Sequence, residues 1–172
     1  MMFTWGLAAK GDETERLAHL VAEAIWPGKG NGFGPCCAIA VLKDNQSIAA
    51  GIIYHNYDQD AGVIEISAAR WEKGWLTPAV LKAMYEFPFL SLGCQAVVQR
   101  VSDDDRAQHR MLTHFGFERY RIPRLRGRDA AENIFVLTEE VWRSNNLRRL
   151  ARERVEERKA AHGEVGSEKS RS

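Results

Sequence analysis

The apolar positions of the chain follow a helical period first and an extended period next. From Asp12, a suitable N-cap, apolar residues recur on one helical face until Pro27, which predicts a first helix. Two apolar runs then flank Asp44 and Asn45, residues typical of a tight turn, and this pattern predicts a β-hairpin.

A third apolar run, residues 61–70, follows a polar turn and is predicted to form a strand. Its period of two places Glu65 and Ser67 on one face, and Ile64 and Ile66 on the other. A carboxylate therefore lies in the middle of a predicted strand.

A second helix is predicted after this strand. Thr77 suits the N-cap, Pro78 suits the first helical position, and the apolar pattern continues until Phe87 meets Pro88. Because the helix follows a strand through a turn that contains Gly74, its free backbone amides and positive dipole end meet at one place, which favours anion binding. A purely structural helix start is the alternative.

The remaining pattern predicts a strand over residues 94–102, a helix over 103–116, and two strands over 117–123 and 132–138. Strands and helices are therefore mixed, with hairpins first and a strand-helix-strand-helix unit in the middle. This order predicts an α/β fold around a mixed sheet.

Composition narrows the functional classes. The chain has 172 residues, 45% of them hydrophobic, and a formal net charge of +1, which suits one compact domain and gives no bulk electrostatic argument for a nucleic-acid or membrane partner. Three cysteines without framework spacing indicate a reducing, cytoplasmic interior, and no apolar run is long enough for a membrane span. The glycine-rich loop 28–34 matches no phosphate-binding motif and is interpreted as a lid or connector, and no metal site is indicated.

The segment "RVSDDDRAQHRMLTHFGFERYR", together with the preceding residues from Gly62 on, indicates a function. The order of strand, turn, helix, strand, helix and Gly-Phe pair from Gly62 to Phe117 resembles the GCN5-related N-acetyltransferases, particularly divergent members carried by tailed phages. The resemblance covers roughly residues 10 to 140. It implies an acyl-CoA N-acyltransferase fold with a mixed, mostly antiparallel central sheet flanked by helices. It also implies acetyl-CoA as cosubstrate, an amine acceptor, a monomer or homodimer, and the host cytoplasm as location for a phage protein.

The resemblance also implies where the cofactor binds. The turn "RWEKGWLT" stands at the family's pyrophosphate-binding turn, with Gly74 at its first glycine. In the predicted helix over residues 103–116, Asp105 stands where an Asn of the family often meets the pantetheine arm, and Leu112 stands where the family often has its proton-donating Tyr. The cofactor-binding candidates are Ser67, Ala68, Trp71, Lys73, Gly74, Trp75, Leu76, Thr77 and Asp105.

Two residues are candidates for catalysis. Glu65 is the candidate general base, because family members commonly place a carboxylate on this central strand; pairing with an Arg is the structural alternative. His109 lies one helical turn after Asp105 and is the candidate proton donor, with a surface position and no such role as its alternative.

Residues 1–143 are thus predicted to form the acetyltransferase domain, and 144–172 a charged helix with a disordered end. The predicted activity is transfer of an acetyl group from acetyl-CoA to an amine of a protein, a small molecule or a modified base. Two alternatives stay open: a non-catalytic binding or virion-associated module with the same fold, and a nucleic-acid-binding protein that acts through the arginines at the start of the tail.

Overall fold

The strands and helices of the chain are taken from a computed structural model that describes residues 1–146, 149 and 156. The strands are β1 Phe3–Leu7, β2 Cys36–Lys43, β3 Ser47–Asp58, β4 Val63–Arg70, β5 Ala96–Ser102, β6 Glu118–Gly127 and β7 Ala130–Thr138. The helices are α1 Asp12–Ile25, α2 Pro78–Glu86, α3 Arg106–His114 and α4, described over residues 139–146. A π-helical turn, Phe87–Ser91, continues α2.

The seven strands form one sheet in the order β1-β2-β3-β4-β5-β7-β6. The pair β4 and β5 is parallel, and the other five neighbouring pairs are antiparallel. Parallel neighbours need a crossover, which α2 and its π-helical turn supply between β4 and β5. The predicted α/β fold with a mixed, mostly antiparallel sheet is confirmed.

The two faces of the sheet carry separate apolar clusters. On one face, α1 packs Leu17 and Val21 against β3. A Cβ atom on Gly51 of β3 would lie 2.6 Å from a methyl group of Val21, so this glycine allows the close approach of α1. On the other face, a larger cluster joins Tyr54, Val80 and Leu112 from β3, α2 and α3.

Several local predictions are confirmed by the geometry. The backbone at Asp44 and Asn45 has positive φ angles of 51° and 56°, as a tight hairpin turn between β2 and β3 requires. The Thr77 hydroxyl accepts a hydrogen bond of 3.3 Å from Val80 N, which caps α2 with Pro78 at the first helical position. Gly116 follows α3 with a φ of 93°.

Other predictions need correction. The edge strand β1 had no sequence prediction, because its five residues hold Gly6 and alternate weakly. Asp12 is not the N-cap of α1 but its first residue; Gly11 takes the cap position with a φ of 89°. Just before the helix, the backbone N–H of Ala9 donates a 3.0 Å hydrogen bond to the Glu13 carboxylate.

The end of the described chain is part of the folded body. In α4, Trp142 stacks on Phe89 with ring centroids 5.0 Å apart, and Asn145 Nδ2 donates to the Phe115 carbonyl at 2.8 Å. The predicted charged tail lies outside the described residues from 147 on, apart from residues 149 and 156. Within the described part of the chain, no helix has the length and apolar content needed to cross a membrane.

Candidate active site

The sheet opens between β4 and β5. The two strands pair over three positions, Val63–Glu65 with Ala96–Val98, and then run on separately to Arg70 and Ser102. A cleft lies on each face of the sheet at this opening, and the linings of the two clefts share Ala68, Asp105 and Gln108. Two ligands on opposite faces could therefore meet through the sheet.

The first cleft, of about 490 Å³, lies between the end of β4, α2 and α3. Its rim includes Gly74, Trp75 and Leu76 of the turn that leads into α2. Gly74 has a φ of 76°, a conformation that favours glycine, and the turn delivers the first amides of α2 to this side of the sheet. The turn that leads into α2 thus forms part of the wall of a cleft large enough for an extended ligand.

Two polar side chains lie deep in the first cleft. Tyr85 of α2 and Gln99 of β5 both line it and are both almost fully buried. Gln99 Nε2 donates to the Tyr85 hydroxyl at 3.1 Å, which leaves the phenolic proton available for another acceptor. Burial raises the pKa of Tyr85 far above its usual value of 10, so the hydroxyl stays protonated at neutral pH.

The second cleft, of about 660 Å³, lies on the α1 face and is the more polar of the two. Glu65 and Ser67 of β4 line it, with Arg100 of β5 on the far side of the opening. Lys29 and Asn31 of the glycine-rich loop also reach it. The loop predicted as a lid or connector therefore forms part of a cleft wall.

Glu65 is held by its neighbours on β3. Asn56 Nδ2 donates to Glu65 Oε2 at 2.9 Å, and the Glu65 side chain is 15% exposed. Asn56 has a φ of 50° at a register shift of β3, a conformation that Asn tolerates better than most residues, and this shift directs its amide toward β4. One carboxylate oxygen is thus fixed, while the group still reaches the second cleft.

A buried histidine completes this cluster. His55 Nε2 lies 2.9 Å from Ser67 Oγ and 3.9 Å from Glu65 Oε1, and Phe33 of the glycine-rich loop packs on the imidazole ring with centroids 4.8 Å apart. Burial lowers the pKa of His55 below its usual value of 6.5, against the opposing attraction of Glu65. The ring is therefore neutral at neutral pH.

The opening brings together most of the residues predicted from the sequence. Ala68, Gly74, Trp75, Leu76 and Asp105 line the first cleft, whereas Glu65 and Ser67 line the second.

The structure places the other predicted residues elsewhere. Trp71 and Lys73 belong to the turn but not to either lining, and Thr77 acts as the cap of α2. His109 is buried rather than on the surface; its Nε2 lies 2.8 Å from the Ser102 carbonyl and its ring packs against Phe135. His109 therefore faces the interior beside β5, outside both clefts.

Sequence reasoning missed several residues in or beside the two clefts. His55, Gln99 and Glu132 are polar residues inside apolar strand runs, and this interruption was the available signal. Tyr85 carried no comparable signal, because an aromatic residue on an apolar helix face is ordinary core packing. Asp105, by contrast, was found, and its carboxylate caps α3 by accepting a 3.0 Å hydrogen bond from Gln108 N.

All three cysteines of the chain are among the described residues. Cys36, Cys37 and Cys94 are free thiols. Over residues 1–146, no three His, Cys, Asp or Glu side chains come close enough to hold a metal ion.

Comparison with known proteins identifies the fold. No family model and no curated protein matches the sequence. Among solved structures, a GCN5-related N-acetyltransferase from Brucella melitensis is similar, with a TM-score of 0.51, 20% identity and coverage of 62% of this chain and 52% of that one.

Two structures from Vibrio cholerae are also similar. Mutant forms of the spermidine/spermine N-acetyltransferase give a TM-score of 0.65 at 9% identity, over 84% of this chain and 99% of that one. A dodecameric spermidine N-acetyltransferase gives a TM-score of 0.54 at 10% identity, over 62% of this chain and 66% of that one. The chain has the GCN5-related N-acetyltransferase fold, which confirms the resemblance seen in the sequence at the level of the fold.

Proposed function

Because the chain has the fold of these N-acetyltransferases, we propose that it transfers an acetyl group from acetyl-CoA to an amine within a ternary complex. The observation that carries the proposal is the opening between β4 and β5, with a cleft on each face and a shared lining at Ala68 and Asp105. Such an arrangement lets a thioester and an amine approach from opposite faces, and holding both reactants in place supplies much of the rate.

The proposed place of the CoA moiety is the first cleft. Its pyrophosphate would lie at the Gly74 turn, where the first amides of α2 and the positive end of the helix dipole favour an anion. The pantetheine arm would run past Ala68 and Asp105 into the opening. Trp71 and Lys73 stay candidates for contacts with the nucleotide at the outer side of the turn.

The proposed general base is Glu65, on the other face. Asn56 fixes one of its oxygens at 2.9 Å, and the other faces His55, so the carboxylate is oriented before substrate binds. A protonated amine must lose a proton before its lone pair attacks the thioester carbonyl. Glu65 would take that proton directly or through a water.

The acetyl oxygen and the leaving sulfur need hydrogen-bond donors. Beyond residue 65 the edge of β4 that faces β5 is no longer paired with it, so backbone N–H groups near Ser67 and Ala68 are the proposed donors to the acetyl oxygen. Leu112 is fully buried and has no proton to give. The Tyr85 hydroxyl, oriented by Gln99 in the first cleft, is the proposed donor to the departing thiolate.

Calorimetric titration with acetyl-CoA and with dephospho-CoA tests the cofactor site first. We expect saturable binding in the micromolar range, the strength of a cofactor held by a helix start and a few side chains. Thiol release in a screen of amines then tests catalysis. A folded protein that binds neither compound would contradict the proposal.

A non-catalytic role of the same fold is the second candidate, favoured by the buried Leu112 at the position where the family often has its Tyr. It predicts acetyl-CoA binding without thiol release for any amine. The nucleic-acid alternative depends on the arginine-rich tail, which from residue 147 on lies outside the described residues except for 149 and 156.

A further inference from the structure

We propose that the amine acceptor carries an anionic group, a carboxylate or a phosphate, which the second cleft binds at its Arg100–Arg126 end while Glu65 receives the amine. This inference rests on the proposed function, because it assigns the acceptor of that site. It follows from the way the charged side chains of the second cleft are arranged.

Three cationic side chains line the second cleft. They come from three different elements: Lys29 from the glycine-rich loop, Arg100 from β5 and Arg126 from β6. Arg100 lies two residues after Val98, the strand partner of Glu65, and therefore on the same face of the sheet. The amine end and the cationic end are thus neighbours across the opening.

The two guanidinium groups are held in place by a buried carboxylate. Arg100 Nη2 lies 3.2 Å from Glu132 Oε2; Arg126 Nε lies 3.2 Å from Oε1 and donates to Oε2 at 3.3 Å. The Glu132 side chain is 3% exposed, whereas those of Arg100 and Arg126 are 44% and 39% exposed. In this group of three side chains, the guanidinium groups and not the Glu132 carboxylate are therefore exposed to a ligand.

Glu132 does not accept hydrogen bonds from all the N–H groups of Arg100 and Arg126. Each guanidinium has five N–H groups, so the pair offers more donors than one carboxylate can accept. Of the other acidic lining residues, Asp105 is engaged as the cap of α3, and Glu65 lies at the amine end. A carboxylate or phosphate is the group that a planar, oriented guanidinium binds best.

The backbone is shaped to bring Arg126 to this place. β6 pairs with β7 up to Ile122 and again at Gly127, and the residues between them bulge out of the ladder. Arg124 has a φ of 64° within this bulge, a strained conformation for a residue other than glycine. The bulge carries Leu125 and Arg126 into the cleft lining.

The test uses the full-length protein saturated with CoA, titrated by calorimetry with matched amines. Phosphoethanolamine is compared with ethanolamine, and β-alanine with its carboxamide, so that each pair differs in the anionic group; spermidine serves as the polycation. We expect the anionic member of at least one pair to bind about tenfold or more tightly than the member without the anionic group, which is the effect of one good charge-assisted contact. The two pairs distinguish a phosphate from a carboxylate.

A variant set assigns the contact. Arg126→Gln is expected to lose that preference, with little change in the binding of CoA and of the amine without the anionic group. Arg128→Gln, an exposed residue just beyond the bulge and outside the lining, is the matched control and should keep it. Lys29→Gln removes another cation of the cleft lining without touching Glu132, and a reduced preference in this variant supports the inference even if Arg126→Gln folds poorly.

The outcomes separate the inference from the proposed function. Equal or tighter binding of spermidine or of the amines without an anionic group, or no binding of any amine to the CoA-saturated protein, overturns the inference and leaves the CoA site intact. Failure to bind CoA or acetyl-CoA at all removes the proposed function, and this is seen before any amine is added.

Discussion

Glu65 combines two properties that are seldom found together, a nearly buried carboxylate and access to a polar cleft. Glu65→Gln keeps the shape and the hydrogen bond from Asn56 but cannot accept a proton. We expect turnover to fall by about 100-fold, the usual contribution of a general base, while the affinity for acetyl-CoA stays unchanged. Thiol-release kinetics and calorimetry on the same samples measure the two effects, and unchanged turnover would remove Glu65 from the mechanism.

His55 makes stability depend on pH. Its pKa is lowered in the folded state, chiefly by burial, so the unfolded chain binds the proton more readily than the folded one. The contribution of the neutral ring is therefore present above the usual value of 6.5 and is lost as the pH falls below it. Denaturant unfolding from pH 8 to pH 5 should show this loss.

The matched variant for this prediction is His55→Gln. It should flatten the pH profile of unfolding between pH 7 and pH 5, because the titrating group is gone. His114→Gln, at the exposed end of α3, is the control and should leave the profile unchanged. Identical slopes in all three proteins would contradict the assignment.

At this scale, the sequence could identify Glu65 and not its partners. A carboxylate inside a strand pattern is visible in the sequence itself. His55 reaches Glu65 because the two residues pair in the register of β3 and β4, and Asn56 reaches it through a register shift. Registers and bulges depend on contacts between strands, which the spacing along one strand does not contain.

At the scale of elements, the start of α2 is the place where charge matters most. Gly74→Asp would set a carboxylate against the pyrophosphate and should weaken acetyl-CoA binding at least tenfold. Gly74→Asn has the same size and tolerates the positive φ, but it lacks the charge and should weaken binding much less. Equal effects of the two variants in calorimetric titrations would argue against a phosphate at this turn.

Thr77→Ala tests the cap rather than the charge. It removes the acceptor for Val80 N and should cost about 1 kcal/mol of unfolding free energy. Since the helix amides stay in place, acetyl-CoA binding should weaken only modestly. Urea unfolding and calorimetry together distinguish this result from a direct contact of Thr77 with the cofactor, which would affect binding more than stability.

The helices and strands are largely predictable, because long periodic runs of apolar residues form them and typical turn and capping residues stand at their ends. The hairpin turn at Asp44, the cap at Thr77 and the stop at Gly116 were all found from local sequence. β1 escaped prediction because it is short and gains its order from pairing with β2. The bulge that carries Arg126 escaped for a similar reason, since only its pairing with β7 defines it.

At the scale of the whole molecule, α4 belongs to the folded body. Trp142→Ala removes the ring that stacks on Phe89 and should cost about 3 kcal/mol of unfolding free energy. Deletion of residues 147–172 leaves Trp142 and Asn145 in the chain and tests the nucleic-acid alternative. Thermal unfolding compares the two variants; a steeply salt-dependent loss of nucleic-acid binding in the deletion alone would support the nucleic-acid alternative.

The opening between β4 and β5 has a mechanical consequence. Three paired positions of β4 and β5 join the two parts of the sheet, β1–β4 on one side and β5–β7 on the other. Because only three positions are paired, this junction resists bending less than two strands paired along their full length would. A ligand that binds between β4 and β5 would contact both parts of the sheet. The bound protein should therefore be stiffer than the free protein, and its backbone amides near the three paired positions should exchange with solvent more slowly.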